Sequence, residues 1–457
     1  MTRPSTASQP SRRSGPLRSL VATFAAAAAL LFLPPAPAEA QVEVTELTSP
    51  TGIPAWLVEE SSLPFVALEL LFPGGASLDP PGQEGAAGMM AAMLAIGAGD
   101  MDETAFAEAS EAIAAEFNFN AGGDSLSVSA RFLTEFTDEA VALLRLALTE
   151  PRFDDDAFAR TQARALSSVR SGQRNPNTLA AQEFARIAWG NHPYGRPNDG
   201  TEDSLAALTP SELRDAHSRG LARDRVHVAA VGDIDAKALG RLIDDLLGDL
   251  PAADTPLPEH TEFLAPPGLT VVPFDGPQSV VFFGHAGIDR DDPDFFPAFL
   301  ISEVLGGGRF NTRLMDSLRR ERGLTYGVGI GLSSRPFGDS VVGRFATSNA
   351  RTAEAIEVLR AEWARMAENG MSDTELEAIQ TFLTGAYPLR FDGNARIASI
   401  LASMQFQGLP ASYMAERNDL VRAVTRDDIA RTAARLLDAE ALHFVVVGHP
   451  EGLDAGN

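Results

Sequence analysis

The stretch that decides the fold is TPSELRDAHSRGLARDRVHVAAVG, residues 209–232, because its pattern recurs 216 residues later as TRDDIARTAARLLDAEALHFVVVG, residues 425–448. Each copy opens with a threonine followed by an acidic residue in the first helical turn, which is a typical helix start. Each copy then continues into a short apolar strand that ends at a glycine, Gly232 or Gly448. The helix start and the strand end therefore recur at the same spacing, which indicates that the chain contains two copies of one domain.

The segments around these copies alternate between strand and helix patterns. Apolar runs followed by glycine predict strands at 66–72 and 279–283. Strict alternation of polar and apolar residues at 125–132 predicts an antiparallel strand with one solvent-exposed face. Helical spacing of apolar residues occurs at 105–115, 138–148 and 353–366. We therefore predict an α+β fold of two duplicated domains, each an antiparallel β-sheet with helices packed on one side. The predicted domains are 41–252 and 269–457, joined by a linker at 253–268 that is rich in Pro, Asp and Glu.

The composition excludes several classes of function. The 457 residues include 37 Lys and Arg against 62 Asp and Glu, a formal net charge of −25, so the surface repels phosphates and no nucleic-acid partner is expected. The chain has no cysteine, which excludes disulfides, thiolate-bound zinc, iron–sulfur clusters and a cysteine nucleophile. A site built from His and Glu ligands remains open at this point.

The N-terminus has the order of a secretory signal. Arg12, Arg13 and Arg18 precede an apolar run at 20–33 and the small-residue motif at 38–40. We predict a signal peptide at residues 1–40, cleaved after Ala40, a periplasmic protein, and no integral membrane segment after cleavage. An uncleaved anchor is the alternative, and the choice between the general and the twin-arginine export routes stays open.

Several motifs together resemble the M16 metallopeptidases, the pitrilysin-like inverzincins that include mitochondrial processing peptidase. The resemblance covers essentially the whole chain after residue 40, and its landmarks are FPGGAS at 72–77, EGAA at 84–87, HPYGRP at 192–197, GGG at 306–308 and LRRERGLTY at 318–326. It implies the family fold, in which two chains or halves close as a clamshell around a peptide chamber.

The zinc motif of the family is absent. The resemblance places His-x-x-Glu-His directly after EGAA, where two histidines four residues apart hold zinc and the glutamate activates water. That window reads GMMAA at 88–92, and the third ligand position falls on Ser168. Residues 86–98 contain no His, Asp or Glu. We therefore predict no metal or other cofactor in this chain, with zinc expected in a partner subunit.

The second half keeps the other part of the family site. The resemblance implies that Arg319 and Tyr326 bind the substrate backbone and the oxyanion, and a guanidinium and a phenol are suitable donors for a developing negative oxygen. A surface arginine and a core tyrosine on a strand are the alternative. The resemblance also implies that the glycine loop Gly306, Gly307 and Gly308 approaches an extended peptide, although a plain helix-to-loop turn is an equal reading. The resemblance also places Asn120 on an edge strand near the substrate, which makes it a further substrate-binding candidate, with a turn asparagine as its alternative.

These features predict the non-catalytic subunit of an exported heterodimeric M16 zinc peptidase. Its partners would be a zinc-bearing M16 subunit with His-x-x-Glu-His and a peptide substrate. Two alternatives remain: a structural or binding protein that keeps the M16 fold as a scaffold without a role in proteolysis, and a peptidase with a different site.

Overall fold

The computed structural model describes residues 43–453, so the predicted signal peptide at 1–40 lies outside the described residues. The first half contains a six-stranded sheet. Its strands are β1 Thr45–Thr48, β2 Pro54–Glu59, β3 Phe65–Pro73, β4 Glu116–Ala121, β5 Ser125–Leu133 and β6 His227–Gly232. Their spatial order is β1-β2-β6-β3-β5-β4. The helices of this half are α1 Ala86–Met93, α2 Glu103–Ala112, α3 Thr137–Thr149, α4 Asp155–Gly172, α5 Pro176–Trp189, α6 Glu202–Ala207, α7 Pro210–Gly220 and α8 Ala236–Leu247.

The second half repeats this arrangement with five strands. They are β7 Gly268–Pro273, β8 Gln278–Ala286, β9 Val328–Arg335, β10 Gly338–Ser348 and β11 His443–Gly448, in the spatial order β7-β11-β8-β10-β9. The helices are α9 Phe295–Gly306, α10 Thr352–Asn369, α11 Asp373–Ala386, α12 Asn394–Phe406, α13 Tyr413–Ala423 and α14 Arg426–Leu436, with a π-helical segment at Met315–Arg320.

Five strands of the first sheet, β2-β6-β3-β5-β4, match the five of the second in spatial order, with β1 as an additional edge strand, and this match confirms the duplication. In each sheet the strand of the repeated stretch, β6 or β11, lies between a parallel neighbour, β2 or β7, and an antiparallel one, β3 or β8. The helices before these strands both begin with a reciprocal capping box, at Thr209 with Glu212 and at Thr425 with Asp428. The predicted α+β class is confirmed. The sheets are mostly rather than wholly antiparallel, because each admits one parallel pair.

Both faces of each sheet are covered, which corrects the expectation of helices on one side. Apart from one helix in each half, the helices pack on one face of the sheet of their own half. The other face is covered by a helix from the opposite half. Leu401 and Met404 of α12 pack against Trp56 and Leu71 of the first sheet, and Phe184 of α5 packs with Val445 and its neighbours in the second. Each half therefore contributes one helix to the other, and two of the hydrophobic clusters contain residues of both halves.

Tyr194 of the HPYGRP motif lies at the junction between the halves. Its hydroxyl accepts a hydrogen bond from the backbone N–H of Phe337 at 3.1 Å. The guanidinium of Arg335 lies 3.6 Å from the Tyr194 ring centroid and makes two 2.9 Å hydrogen bonds to Asp124. The linker runs past this junction without helix or strand, and Phe263 packs edge-on against Trp189. The motif thus joins the first half to the second sheet.

No helix among residues 43–453 combines the length and hydrophobicity needed to cross a bilayer.

Glu69 is a buried carboxyl on β3, and its ionisation is predicted to lower stability at high pH. It is 6% exposed, and burial raises its pKa to about 7, although the Ser129 hydroxyl donates a hydrogen bond to it at 2.7 Å. Because the folded state holds this proton more tightly than the unfolded state does, the contribution to stability is present below pH 4.5 and is lost as the pH rises through 7. Glu69→Gln should therefore stabilise the chain at pH 8 by on the order of 3 kcal/mol.

The measurement is the free energy of urea unfolding at pH 4.5 and at pH 8. Glu69→Gln should differ little from the wild type at pH 4.5 and gain stability at pH 8. Glu46→Gln, at an exposed position of β1, is the control and should follow the wild type at both values. A Glu69→Gln variant no more stable than the wild type at pH 8 would show that this carboxylate is accommodated without cost.

Candidate functional site

Helix α1 is the element on which the resemblance places the two zinc histidines. Their positions are Gly88, which is half-buried, and Ala92, which is exposed. Met89, Met90 and Ala91 between them are buried in the core of the first half. A Cβ atom added at Gly88 would meet no atom within 4 Å, so space for a side chain exists there. The helix keeps a partly open face and presents no metal-binding atom on it.

The third ligand position does not supply a donor either. Ser168 is exposed on α4, a helix that packs against α1, and structural and catalytic zinc sites use Cys, His, Asp or Glu. The residues at this place therefore do not fit a zinc ion. One group elsewhere among residues 43–453, His260, Asp289 and Asp339, has ligand atoms within 4.8 Å of one another. These residues come from the linker, the loop after β8 and β10, and they do not restore the family site.

The start of α1 is nevertheless tightly built. The Asp79 carboxylate accepts hydrogen bonds from the backbone N–H groups of Gly85 and Ala87 at 3.1 Å. Burial raises the pKa of Asp79 to about 7 despite these bonds. Arg196 donates to the Asp79 carbonyl at 2.9 Å and faces Glu84 at 3.5 Å. The EGAA and HPYGRP motifs therefore meet at this helix start, and they hold the helix in place although its ligands are absent.

Arg319 differs from the other arginines of its segment. It is exposed at the end of the π-helical segment, and its Cζ atom lies 5.2 Å from the ring centroid of Phe310, itself 75% exposed. Among residues 43–453 its guanidinium has no carboxylate partner. The four other arginines between 309 and 322 each have one: Arg309 with Glu303, Arg313 with Glu375, Arg320 with Asp316 and Arg322 with Glu321.

The pairing of Arg313 shows how strongly this segment is anchored. Its guanidinium makes two hydrogen bonds to Glu375, at 2.7 and 2.8 Å, and a third to the Gly370 carbonyl at 2.8 Å. Hydrogen bonding from Arg313 holds the pKa of Glu375 at about 2. Arg319 is thus presented from a fixed segment, and its own donors remain free for a ligand.

Tyr326 is exposed, and its position is set by its neighbours. The Leu324 N–H donates to the Leu318 carbonyl at 2.7 Å, which folds the chain back beside the π-helical segment. The Thr325 hydroxyl donates to the Ala346 carbonyl at 2.7 Å, and Thr347 donates to the Leu324 carbonyl at 2.6 Å. These bonds fix the residues on one side, while Tyr326 itself is 87% exposed. The alternative of a core tyrosine on a strand is wrong, because β9 begins only at Val328.

The glycine loop follows directly on α9, and two of its glycines have a packing reason. A Cβ atom at Gly306 would lie 3.0 Å from Ile330 of β9, and one at Gly307 would lie 2.4 Å from the Glu303 carboxylate. Gly308 faces open space. Close packing therefore explains Gly306 and Gly307 as a helix-to-loop turn, and the role of the loop in peptide binding stays a prediction.

Asn120 lies on an edge strand, as the resemblance implies. β4 is the last strand of the first sheet, and it pairs only with β5. Asn118 and Asn120 share its exposed face, while Phe117 and Phe119 are half-buried towards the helices. An edge strand offers free backbone groups to which an extended peptide can add as a further strand. The structure joins Asn120 to neither Arg319 nor Tyr326 by any hydrogen bond within the described residues.

A group of arginines and aromatic residues around α12, which no sequence motif indicates, lines a cavity in the second half. Their signal is weak in the sequence, because they come from five separate segments between residues 290 and 417 and form no motif. The His443 side chain is held by its neighbours on the second sheet, since its ring nitrogens lie 2.7 Å from the Pro266 carbonyl and 3.2 Å from the Thr270 hydroxyl.

Two models of one protein family match the chain. The model described as "Insulinase (Peptidase family M16)" matches residues 56–202, and the model described as "Peptidase M16 inactive domain" matches residues 207–383. Together they cover well over half of the chain, and the boundary between them falls within α6.

Individual proteins similar to the chain agree with these models. A Helicobacter pylori protein named "Non-peptidase homolog YmxG" is 24% identical over 386 residues, which are 82% of this chain and 89% of that protein. A Rickettsia bellii protein named "Uncharacterized zinc protease" is 22% identical over 394 residues, 83% of this chain and 92% of that protein. The crystal structure of a peptidase M16 inactive domain from Pseudomonas fluorescens superposes with a TM-score of 0.81 at 27% identity, covering 91% of this chain and 100% of that one.

Proposed function

Because the chain belongs to the M16 peptidase family as a member without the zinc-binding residues, we propose that it is the non-catalytic subunit of an exported heterodimeric zinc peptidase. In this complex the zinc ion and the general base belong to the partner subunit, which carries His-x-x-Glu-His. This chain supplies Arg319 and Tyr326 to the partner's site. Its own α1 takes no part in the chemistry.

The observation that carries the proposal is that Arg319 and Tyr326 are exposed to solvent, in a segment where every other arginine forms an ion pair with a carboxylate. An exposed guanidinium and an exposed phenol, both fixed through their neighbours, are preorganised donors. A peptide bond under attack develops negative charge on its carbonyl oxygen, and donors aimed at that oxygen lower the barrier because they interact more strongly with the transition state than with the substrate. Phe310 beside Arg319 adds an apolar contact for a peptide side chain.

The edge strand β4 supports the peptide-binding part of the proposal. A substrate in the extended conformation can pair with the free backbone of β4, and Asn118 and Asn120 project from the exposed face of that strand. Backbone hydrogen bonds do not depend on the side chains of the peptide, so the expected substrates are unfolded or short peptides without a particular sequence. The location in the periplasm rests on the N-terminal pattern of basic, apolar and small residues.

Co-expression with a zinc-bearing M16 chain from the same organism tests the assembly. The two chains should co-elute as a complex, and metal analysis of the separated chains should find zinc with the partner. A chelator should abolish peptide hydrolysis by the complex, and added zinc should restore it. If this chain shows no association with such a partner, or if zinc stays with this chain after separation, the proposal is wrong.

A further inference from the structure

A cavity of about 590 Å³ lies beside α12 in the second half. Its walls come from the loop after β8, the start of α9, the turn after α11, α12 itself and the start of α13. Small-molecule sites typically enclose roughly 300–1,000 Å³. The cavity therefore has the size of a site for a small organic molecule or for the last few residues of a peptide.

The charge of this cavity is opposite to that of the protein. Its lining holds four arginines and no aspartate or glutamate, in a chain with a net charge of −25. Within the described part of the chain none of the four lies within ion-pair distance of a carboxylate, whereas most arginines in the segment around Arg319 are paired. The four are Arg290, Arg390, Arg396 and Arg417. Unpaired cations gathered around one cavity create a local positive potential that an anion would neutralise.

Arg417 makes this potential reach into the protein interior. Arg417 is only 7% exposed. Its guanidinium donates hydrogen bonds to the Leu383 carbonyl at 3.1 Å and to the Asn418 side-chain oxygen at 3.2 Å. Burial lowers its pKa, as expected for a cation that is removed from water. Neutral acceptors satisfy some of its hydrogen bonds, but they do not balance its charge, and a buried charge without a counter-ion is unfavourable.

Aromatic rings form much of the remaining wall. The Arg290 Cζ atom lies 4.6 Å from the Phe295 ring centroid, and its Nη2 donates to the Tyr413 hydroxyl at 2.9 Å. The Arg417 Cζ atom lies 4.7 Å from the Tyr387 ring centroid. Stacking of this kind holds a guanidinium in place while its edge remains available to a ligand. The site therefore combines fixed donors for an anionic group with apolar surface for the rest of a molecule.

We propose that this cavity binds an apolar carboxylate, which is an anionic carboxyl group attached to an aromatic or aliphatic body. The carboxylate would lie against the arginines, where charge-assisted hydrogen bonds are strongest, and the body would lie against the aromatic walls. Such a group is present in a free organic acid and at the C-terminus of a peptide that ends in an apolar residue. The site lies entirely in this chain and needs no partner subunit, so it stands independently of the proposed function.

Isothermal titration calorimetry on the purified chain tests the proposal with three probes. They are N-acetyl-Gly-Phe-Phe with a free carboxylate, the same peptide as its C-terminal amide, and 4-phenylbutyrate. The free-carboxylate peptide should bind at least about tenfold more tightly than the amide, and the difference should shrink with added salt because charge interactions are screened. Binding of 4-phenylbutyrate with similar affinity would assign the site to free acids, whereas binding of the peptide alone would assign it to peptide termini.

Variants locate the binding site. Arg390 and Arg396 are exposed at the rim, so Arg390→Gln and Arg396→Gln should fold normally and should each weaken the carboxylate probe about tenfold. Arg241→Gln, the same change on the exposed side of α8, should leave binding unaltered. Ser403→Trp should fill the cavity and remove binding. Equal affinity for acid and amide, no binding of any probe, a loss in Arg241→Gln equal to that of the rim variants, or retained binding in Ser403→Trp would each overturn the proposal.

Discussion

Replacing Arg319 by alanine is expected to lower the kcat of the complex between this chain and its zinc-bearing partner by about 10²–10³-fold, the loss seen when one donor to a developing oxyanion is removed. The reason is that Arg319 offers donors that no carboxylate among residues 43–453 occupies, since its guanidinium lies against the Phe310 ring. A donor that acts mainly in the transition state changes kcat more than KM. Tyr326→Phe, which removes only the hydroxyl, should reduce kcat in the same direction by a smaller factor.

Steady-state kinetics on a peptide substrate, with wild-type partner and matched complexes, provide the measurement. Arg320→Ala is the control, because Arg320 is the next residue, is also exposed and is ion-paired with Asp316. It should keep nearly the full kcat. Co-elution with the partner must be unchanged in every variant, so that a loss of activity reports on catalysis. Similar kcat values for Arg319→Ala and Arg320→Ala would show that Arg319 does not stabilise the oxyanion, and they would favour the scaffold alternative.

Phe184→Ala is expected to destabilise the whole chain by about 3–5 kcal/mol, because a large buried side chain is lost from a shared core. Phe184 belongs to α5 of the first half, yet its ring centroid lies 5.0 Å from that of Phe282 in the second sheet. Its ring sits over Gly284, where an added Cβ would come within 2.9 Å of it. The alanine would therefore leave a cavity exactly where the halves join.

Urea unfolding followed by circular dichroism measures this loss. Because each half contributes a helix to the other, wild type and variant should each unfold in a single transition. Phe382→Ala, a change at a 46% exposed phenylalanine of α11, is the control and should cost less than about 1 kcal/mol. Two separate transitions in the wild type, or a cost for Phe184→Ala no larger than that of the control, would contradict the shared core.

The duplicated fold is predictable from the sequence because its signals are local. The capping boxes at Thr209 and Thr425 and the strands that end at Gly232 and Gly448 need only short-range geometry, and the structure reproduces them at equivalent places. The absence of zinc ligands is equally local, because two helical histidines must lie four residues apart. The roles proposed for Arg319 and Tyr326 come from the resemblance, since spacing alone gives no reason for an exposed tyrosine.

The exchange of helices is not predictable from the sequence. The apolar faces of α5 and α12 have the pattern of ordinary amphipathic helices. Such a pattern indicates that a face is buried, but it does not indicate which element covers that face. The contacts that decide the question join residues far apart in the chain, such as Arg335 with Asp124. The arginine-lined cavity is hidden for the same reason, because its charges gather only after the second half has folded.

The most direct test of the central claim is the rate of peptide hydrolysis by this chain alone, by the zinc-bearing partner alone and by the two together. The account predicts that the mixture is active and that each chain alone is nearly inactive, because the oxyanion donors and the zinc belong to different subunits. Full activity of the partner alone would contradict it. So would hydrolysis by this chain alone that a chelator abolishes, since that would place a working metal site where α1 presents no ligand.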